Sequence, residues 1–215
     1  MKSLLLTSYY LVYRSFIAYL GIALVVSGIL FFFGGPSTHS IIAMLVILLT
    51  TTPATEVLKH EAKSGYDKFV LTLPINRIHV VQNHYLFYII IATISSLLAP
   101  LLLYAYGLIS GISINDVTKF ISFGIFIILF AGALAYPLIY VFGPEKSDSL
   151  IIGSGMIGMF VSLGLQGVAS NLAISLSNSE AEADLYFRII YILLGVIIFI
   201  LSFFISVFIY RKKEF

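Results

Sequence analysis

Uncharged apolar runs, each closed by a short polar or charged break, recur along the whole chain. Nothing charged lies between Arg14 and Glu56, which leaves room for two membrane spans of about 20 residues each. Gly34-Gly35-Pro36-Ser37-Thr38-His39 supplies the turn between them. The pattern predicts spans at about 15–33, 40–54, 80–104, 120–141, 150–168 and 189–209 within one transmembrane domain, 1–215. Polar breaks separate the later runs: a loop at 107–116, a tight turn at Gly143-Pro144-Glu145-Lys146-Ser147-Asp148, and a polar stretch at 170–184. The first residues, Met1-Lys2-Ser3 and an apolar run interrupted by Arg14, lack a small-residue cleavage site after a run of signal-peptide length. They are expected to form an uncleaved interfacial amphipathic helix leading into the first span. The fold class is therefore an all-α integral membrane protein with six transmembrane helices. The two halves show no convincing internal repeat, so an inverted-repeat carrier is not suggested.

Charge is concentrated between Glu56 and Arg77, where Glu56, Lys59, Glu61, Lys63, Asp67, Lys68 and Arg77 cluster. Inside this island, Gly65 can end the helix that arrives there and Pro74 cannot continue one. The interval holds about two helical turns, roughly 12 Å of axis. Tyr66, Phe69, Val70 and Leu73 fall at i, i+3, i+4 and i+7 and make one apolar face, with Asp67, Lys68 and Thr72 off it. So short a helix buries little area if it merely lies on a lipid surface. A fitted protein groove uses the same four side chains better.

Composition agrees with a membrane protein: 60% of the 215 residues are hydrophobic and 10% charged, against about 25% charged in soluble domains. Zero cysteine excludes disulfides, thiolate metal sites and cysteine nucleophiles. Basic residues set the orientation. With both termini inside, Lys119 and Arg188 alone among the 12 Lys and Arg residues fall outside. The chain is thus expected to be multi-pass in the cell membrane with cytoplasmic termini. The partners expected are the bilayer and other protein subunits, with no nucleic acid.

Candidate chemistry is sparse. The predicted spans hold essentially no charge, which argues against proton- or sodium-driven transport. No Gly-x-x-x-x-Gly-Lys-Ser/Thr loop is present, so any ATP and its magnesium are bound by another polypeptide. His60-Glu61 resembles the start of a zinc-protease motif, but Ser64 stands where the second histidine belongs. Glu56 and His60, at i and i+4, either share a metal or form a helix-end pair, and the pair is the expectation. His79 and His84, beside Gln82 and Asn83, read as an interfacial polar belt. Tyr9, Tyr10, Tyr13, Tyr104, Tyr106, Tyr140 and Tyr210 sit near span ends and read as interface anchors. The fifth span is rich in glycine (Gly153, Gly155, Gly158, Gly164, Gly167), which serves close packing within the chain or contact with another subunit. Gln166, the most polar side chain within a span, either lines a pathway or bonds a neighbouring carbonyl. No convergent set of catalytic side chains is visible.

The run Lys63-Ser64-Gly65-Tyr66-Asp67-Lys68-Phe69, continued by Leu71-Thr72-Leu73-Pro74-Ile75-Asn76-Arg77, resembles the first cytoplasmic loop of small ABC-2 type transporter permeases. Chain length, six spans and a polar stretch before the last span are similar too. The resemblance implies the membrane subunit of an ABC exporter, paired with a second permease subunit (homodimer or heterodimer) and with separate ATPase subunits that hydrolyse ATP. Gly65 to Pro74 would then be the coupling helix, with Tyr66, Phe69, Val70 and Leu73 as knobs and Asp67, Lys68 and Arg77 as polar contacts. Asn76 would cap the third span. The resemblance is nearest to permeases of Gram-positive bacteria that export amphipathic peptides such as the phenol-soluble modulins. A passive channel, or a scaffold in a peptide-immunity system, needs no ATPase and is the alternative.

Overall fold

The computed structural model describes residues 2–34, 38–66, 69–70, 76–110, 117–177 and 179–212. Six long helices account for nearly all of them: α1 (Lys2–Phe33), α2 (Thr38–Ser64), α3 (Arg77–Ser110), α4 (Val117–Phe142), α5 (Ser147–Leu176) and α6 (Glu180–Lys212). All six are long and apolar enough to cross a membrane. They alternate in direction, so Lys59, Lys63, Arg77, Lys146, Arg211 and Lys212 gather at one end, called the basic end below.

The helices overrun the predicted segments, and each overrun has a local cause. The expected N-terminal interfacial helix is not a separate element. It is continuous with the first span in α1, because nothing between Lys2 and Phe33 breaks a helix. The 26 to 34 residues of these rods correspond to more than the roughly 30 Å of hydrocarbon they would cross. Helix α2 passes through Pro53 and continues to Ser64, so the charged residues from Glu56 onward ride on the same rod as the second apolar run. Pro53 removes the N–H that would bond the Leu49 carbonyl, and in the turn before it the hydroxyls of Thr50, Thr51 and Thr52 donate back to the carbonyls of Val46, Ile47 and Leu48. Gly65, at φ +71°, then ends α2 as a left-handed cap residue.

The expected loop from 107 begins later, since α3 persists to Ser110. The polar stretch at 170–184 is not a loop either. It is the end of α5 and the start of α6, separated at 177–179. Ser170 and Ser175 turn their hydroxyls onto the carbonyls of Gly167 and Leu172, so their polarity is absorbed within the helix. Ser179 then caps α6, its Oγ accepting from the Glu182 amide at 3.3 Å. Glu180 and Glu182 occupy the first turn, where the helix dipole favours negative charge.

Helices α2 and α4 form the centre: over their most apolar stretches 61% and 56% of residues are buried, against 11% for α1 and 17% for α5. Helix α4 packs on α2, α3, α5 and α6, while α1 leans on α2 and α3. The core is aromatic, and its tyrosines are tied by hydroxyl bonds across helices. Tyr88 donates to the Ile128 carbonyl, Tyr191 to that of Ser162, and Tyr85 lies 2.7 Å from the hydroxyls of both Ser202 and Ser206. Close approach is set by small residues on α4. A Cβ on Gly132 would lie 2.6 Å from the Tyr88 ring. On α5 only Gly158 has this role, 3.2 Å from the Ile127 carbonyl, whereas a Cβ on Gly153, Gly155, Gly164 or Gly167 would meet nothing within 4 Å. Most of the glycine-rich face therefore does not serve packing within the chain.

Candidate functional site

Just below the end of α2, at the basic end, the bundle carries a buried polar group. Glu61 lies one turn beyond Val57 on the stripe of α2 that faces the core and is 5% exposed. Its Oε2 is 2.8 Å from Nε2 of His84 on α3. The other ring nitrogen, Nδ1, is 2.8 Å from the hydroxyl of Tyr140 on α4. A carboxylate only accepts, so Nε2–H donates to Glu61, and in the neutral ring Nδ1 accepts the Tyr140 proton. Tyr136 adds a bond from its hydroxyl to the Ala54 carbonyl at 3.1 Å and one to the His84 carbonyl at 3.3 Å. Three helices are thus joined through one imidazole. Next to it, Asn83 donates from Nδ2 to the Ser8 hydroxyl at 2.8 Å and brings α1 into the same layer.

A cavity of about 50 Å³ opens beside this group, lined among others by Glu61, Asn83, His84 and Tyr140 and walled by Tyr66 and Val70. This connects the site to the predicted coupling segment. Past Gly65, the residues Tyr66, Phe69 and Val70 have helical backbone, and the Phe69 amide donates to the Gly65 carbonyl at 3.2 Å. Tyr66 packs partly against the core, Val70 is 3% exposed, and Phe69 is 56% exposed. Of the four side chains expected on one apolar face, Val70 is thus set against this chain's own bundle and Phe69 is not. Neighbours on a helix differ by about 100°, so turning Val70 onto the bundle turns Phe69 away from it. Asp67, Lys68, Leu73 and Pro74 lie outside the described residues.

Asn76 takes the capping position expected of it: its side-chain oxygen accepts from the Ile78 amide at 3.2 Å at the start of α3. Arg77 is exposed, and its guanidinium reaches the Arg211 carbonyl at 3.3 Å, joining the start of α3 to the end of α6. Lys59 donates to both carboxylate oxygens of Asp148, at 2.5 and 2.6 Å, linking α2 to the first turn of α5.

Other sequence candidates fall elsewhere. Glu56 and His60 are 3.8 Å apart, and each also reaches α1: Tyr19 donates to Glu56 at 2.9 Å, and the Ser15 hydroxyl lies 3.4 Å from His60. They pin two helices, and among the described residues no three potential ligands converge on a metal position. His79 is exposed and bonds Gln82, as a belt residue would. His84 is not in that belt; it is 2% exposed. Tyr140 and Tyr210 are likewise core residues rather than interface anchors, whereas Tyr9, Tyr10 and Tyr104 are more than half exposed. Gln166 is exposed on α5 above a groove of about 260 Å³ that Phe120, Phe123 and Ser170 also line.

Neither a curated protein nor a solved structure matches the chain. A family model does: the one described as ABC-2 family transporter protein matches residues 3–211. Six long apolar helices and a match over nearly the whole length agree, and the chain is a multi-pass membrane protein belonging to the ABC-2 transporter family.

Proposed function

We propose that this chain is the permease subunit of an ATP-driven exporter in the cell membrane, with both termini in the cytoplasm. A separate ATPase binds ATP and magnesium and seats on the 65–77 segment. Two permease subunits form the pathway, and the substrates are amphipathic or hydrophobic molecules such as peptides. The observation that carries this reading is the split between two adjacent side chains. Phe69 is turned outward at the basic end, while Val70 is set into the wall of the cavity beside Glu61, His84 and Tyr140. A push received at Phe69 is delivered through Val70 to a layer that ties α2, α3 and α4 together. Pro53 and Pro100, inside α2 and α3, are the places where those helices bend most readily. Gln166 borders the outward-moving pathway.

Phe69→Glu tests the proposal. The side chain is exposed, so the variant inserts and melts like the parent protein. It loses the ATPase subunit on co-purification from native membranes and loses transport. A Phe69→Glu protein that still holds the ATPase and still transports counts against the scheme.

A further inference from the structure

Away from the polar layer, an apolar groove of about 420 Å³ runs between α1 and α3 over Pro53 of α2. Leu6, Tyr9, Tyr13, Phe87 and Ile94 are among its walls, and among the described residues that line it the polar side-chain atoms are the two tyrosine hydroxyls. Its size is that of a site for a small hydrophobic ligand. Arg14 stands at its rim: Nε donates to the Tyr13 hydroxyl at 2.9 Å, and the guanidinium carbon lies 5.7 Å from the Tyr13 ring centre. Among the described residues no carboxylate pairs with Arg14. Residues 14–33 of α1 make about 30 Å of helix, the thickness of a hydrocarbon core. That places Arg14 at headgroup depth, with Phe16, Ile94 and Pro53 of the groove on its hydrocarbon side and Leu6 and Tyr9 on its water side.

A cation at headgroup level next to an apolar slot matches the two halves of one kind of molecule. We propose that the groove binds an anionic phospholipid, one acyl chain lying over Pro53 and the phosphate on Arg14, with the Tyr9 and Tyr13 hydroxyls beside it. Apolar contact and charge together hold a lipid where either alone is marginal, and basic sites between spanning helices select anionic headgroups. A second copy of the chain, or a peptide, would have to bring its own carboxylate to the same rim.

Native mass spectrometry of the full chain, released from detergent with equal amounts of phosphatidylglycerol and phosphatidylcholine added, tests this. The parent protein retains one phosphatidylglycerol in preference to phosphatidylcholine by on the order of fivefold, the worth of one basic residue near a lipid surface. Arg14→Gln brings the two lipids to parity. Ile90→Trp and Ile94→Trp fill the groove on the hydrocarbon side of Arg14, at positions exposed enough to accept the larger ring, and both lose the adduct. Lys146→Gln, at an exposed position outside the groove, keeps it. The proposal is overturned if the parent shows no preference, if the preference survives Arg14→Gln, or if the adduct survives both tryptophan variants. A groove-dependent adduct with the mass of a second chain overturns it as well.

Discussion

Removing the Glu61 side chain has a direct consequence for stability. Its carboxylate accepts from an imidazole that is 2% exposed, so removing it strands a buried N–H. Such a loss costs about 1–3 kcal/mol. Glu61→Ala should therefore lower the melting temperature of the purified protein, followed by far-UV circular dichroism because the chain has no tryptophan. Glu61→Gln keeps an acceptor within reach of Nε2 and should cost less. Equal losses in the two variants would mean that the His84 contact carries no stability. Gly132 makes a second test, of sterics alone. Alanine there would push a methyl to within 2.6 Å of a buried Tyr88 whose hydroxyl is bonded to Ile128, and overpacking of this kind costs about 1–3 kcal/mol. Gly164→Ala, with nothing within 4 Å, is the matched control and should melt no lower than the parent, since alanine inside a helix gains about 0.5–1 kcal/mol over glycine.

In the proposed coupling, Val70 is the fixed side of a lever after α2 and Phe69 its working side. Val70→Glu buries a charge in the cavity wall and should yield little folded protein, whereas Phe69→Glu should fold and fail only in coupling. If both variants fold equally well, Val70 is not seated as described. How much of this was readable beforehand depends on what the residue pattern encodes. Gly65 as a terminator and Asn76 as a cap follow from local backbone chemistry, and both stand where that chemistry puts them. The Glu61–His84 pair did not emerge, although its signal was present. Ala43, Ile47, Thr50, Ala54, Val57 and Glu61 recur at three- and four-residue spacing, as do Val81, His84, Tyr88, Ile91, Ser95 and Ala99. Reading charges as boundaries hid this, because a boundary rule stops following the stripe at the first carboxylate. The Ser179–Glu182 cap was legible too, as a serine followed three residues later by glutamate. Which of Phe69 and Val70 faces inward was not legible, because periodicity fixes their angular separation and not the direction of the bundle.

At the scale of the whole molecule, six rods of alternating direction place the charged side chains unequally at the two ends. Lys59, Lys63, Arg77, Lys146, Arg211 and Lys212 share one end, while Arg188 lies near the other, in the third turn of α6. In spanning proteins that asymmetry sets orientation, since basic loops are retained on the cytoplasmic side and acidic residues weigh little. The same orientation puts the Phe69 segment where an ATPase can reach it, so topology and coupling stand or fall together. Lack of cysteine makes the test clean, because every introduced thiol is the only one in the chain. Lys63→Cys and Lys146→Cys, both at exposed positions, should resist a membrane-impermeant maleimide on intact cells and react once the membrane is opened. Ser179→Cys, exposed at the opposite end, should react on intact cells. The Ser179 change also removes the α6 cap, which costs about 1 kcal/mol, too little to invert six spans. Labelling of Lys63→Cys on intact cells would put the 65–77 segment outside, beyond the reach of any cytoplasmic ATPase, and would remove the physical basis for ATP-driven export through this chain.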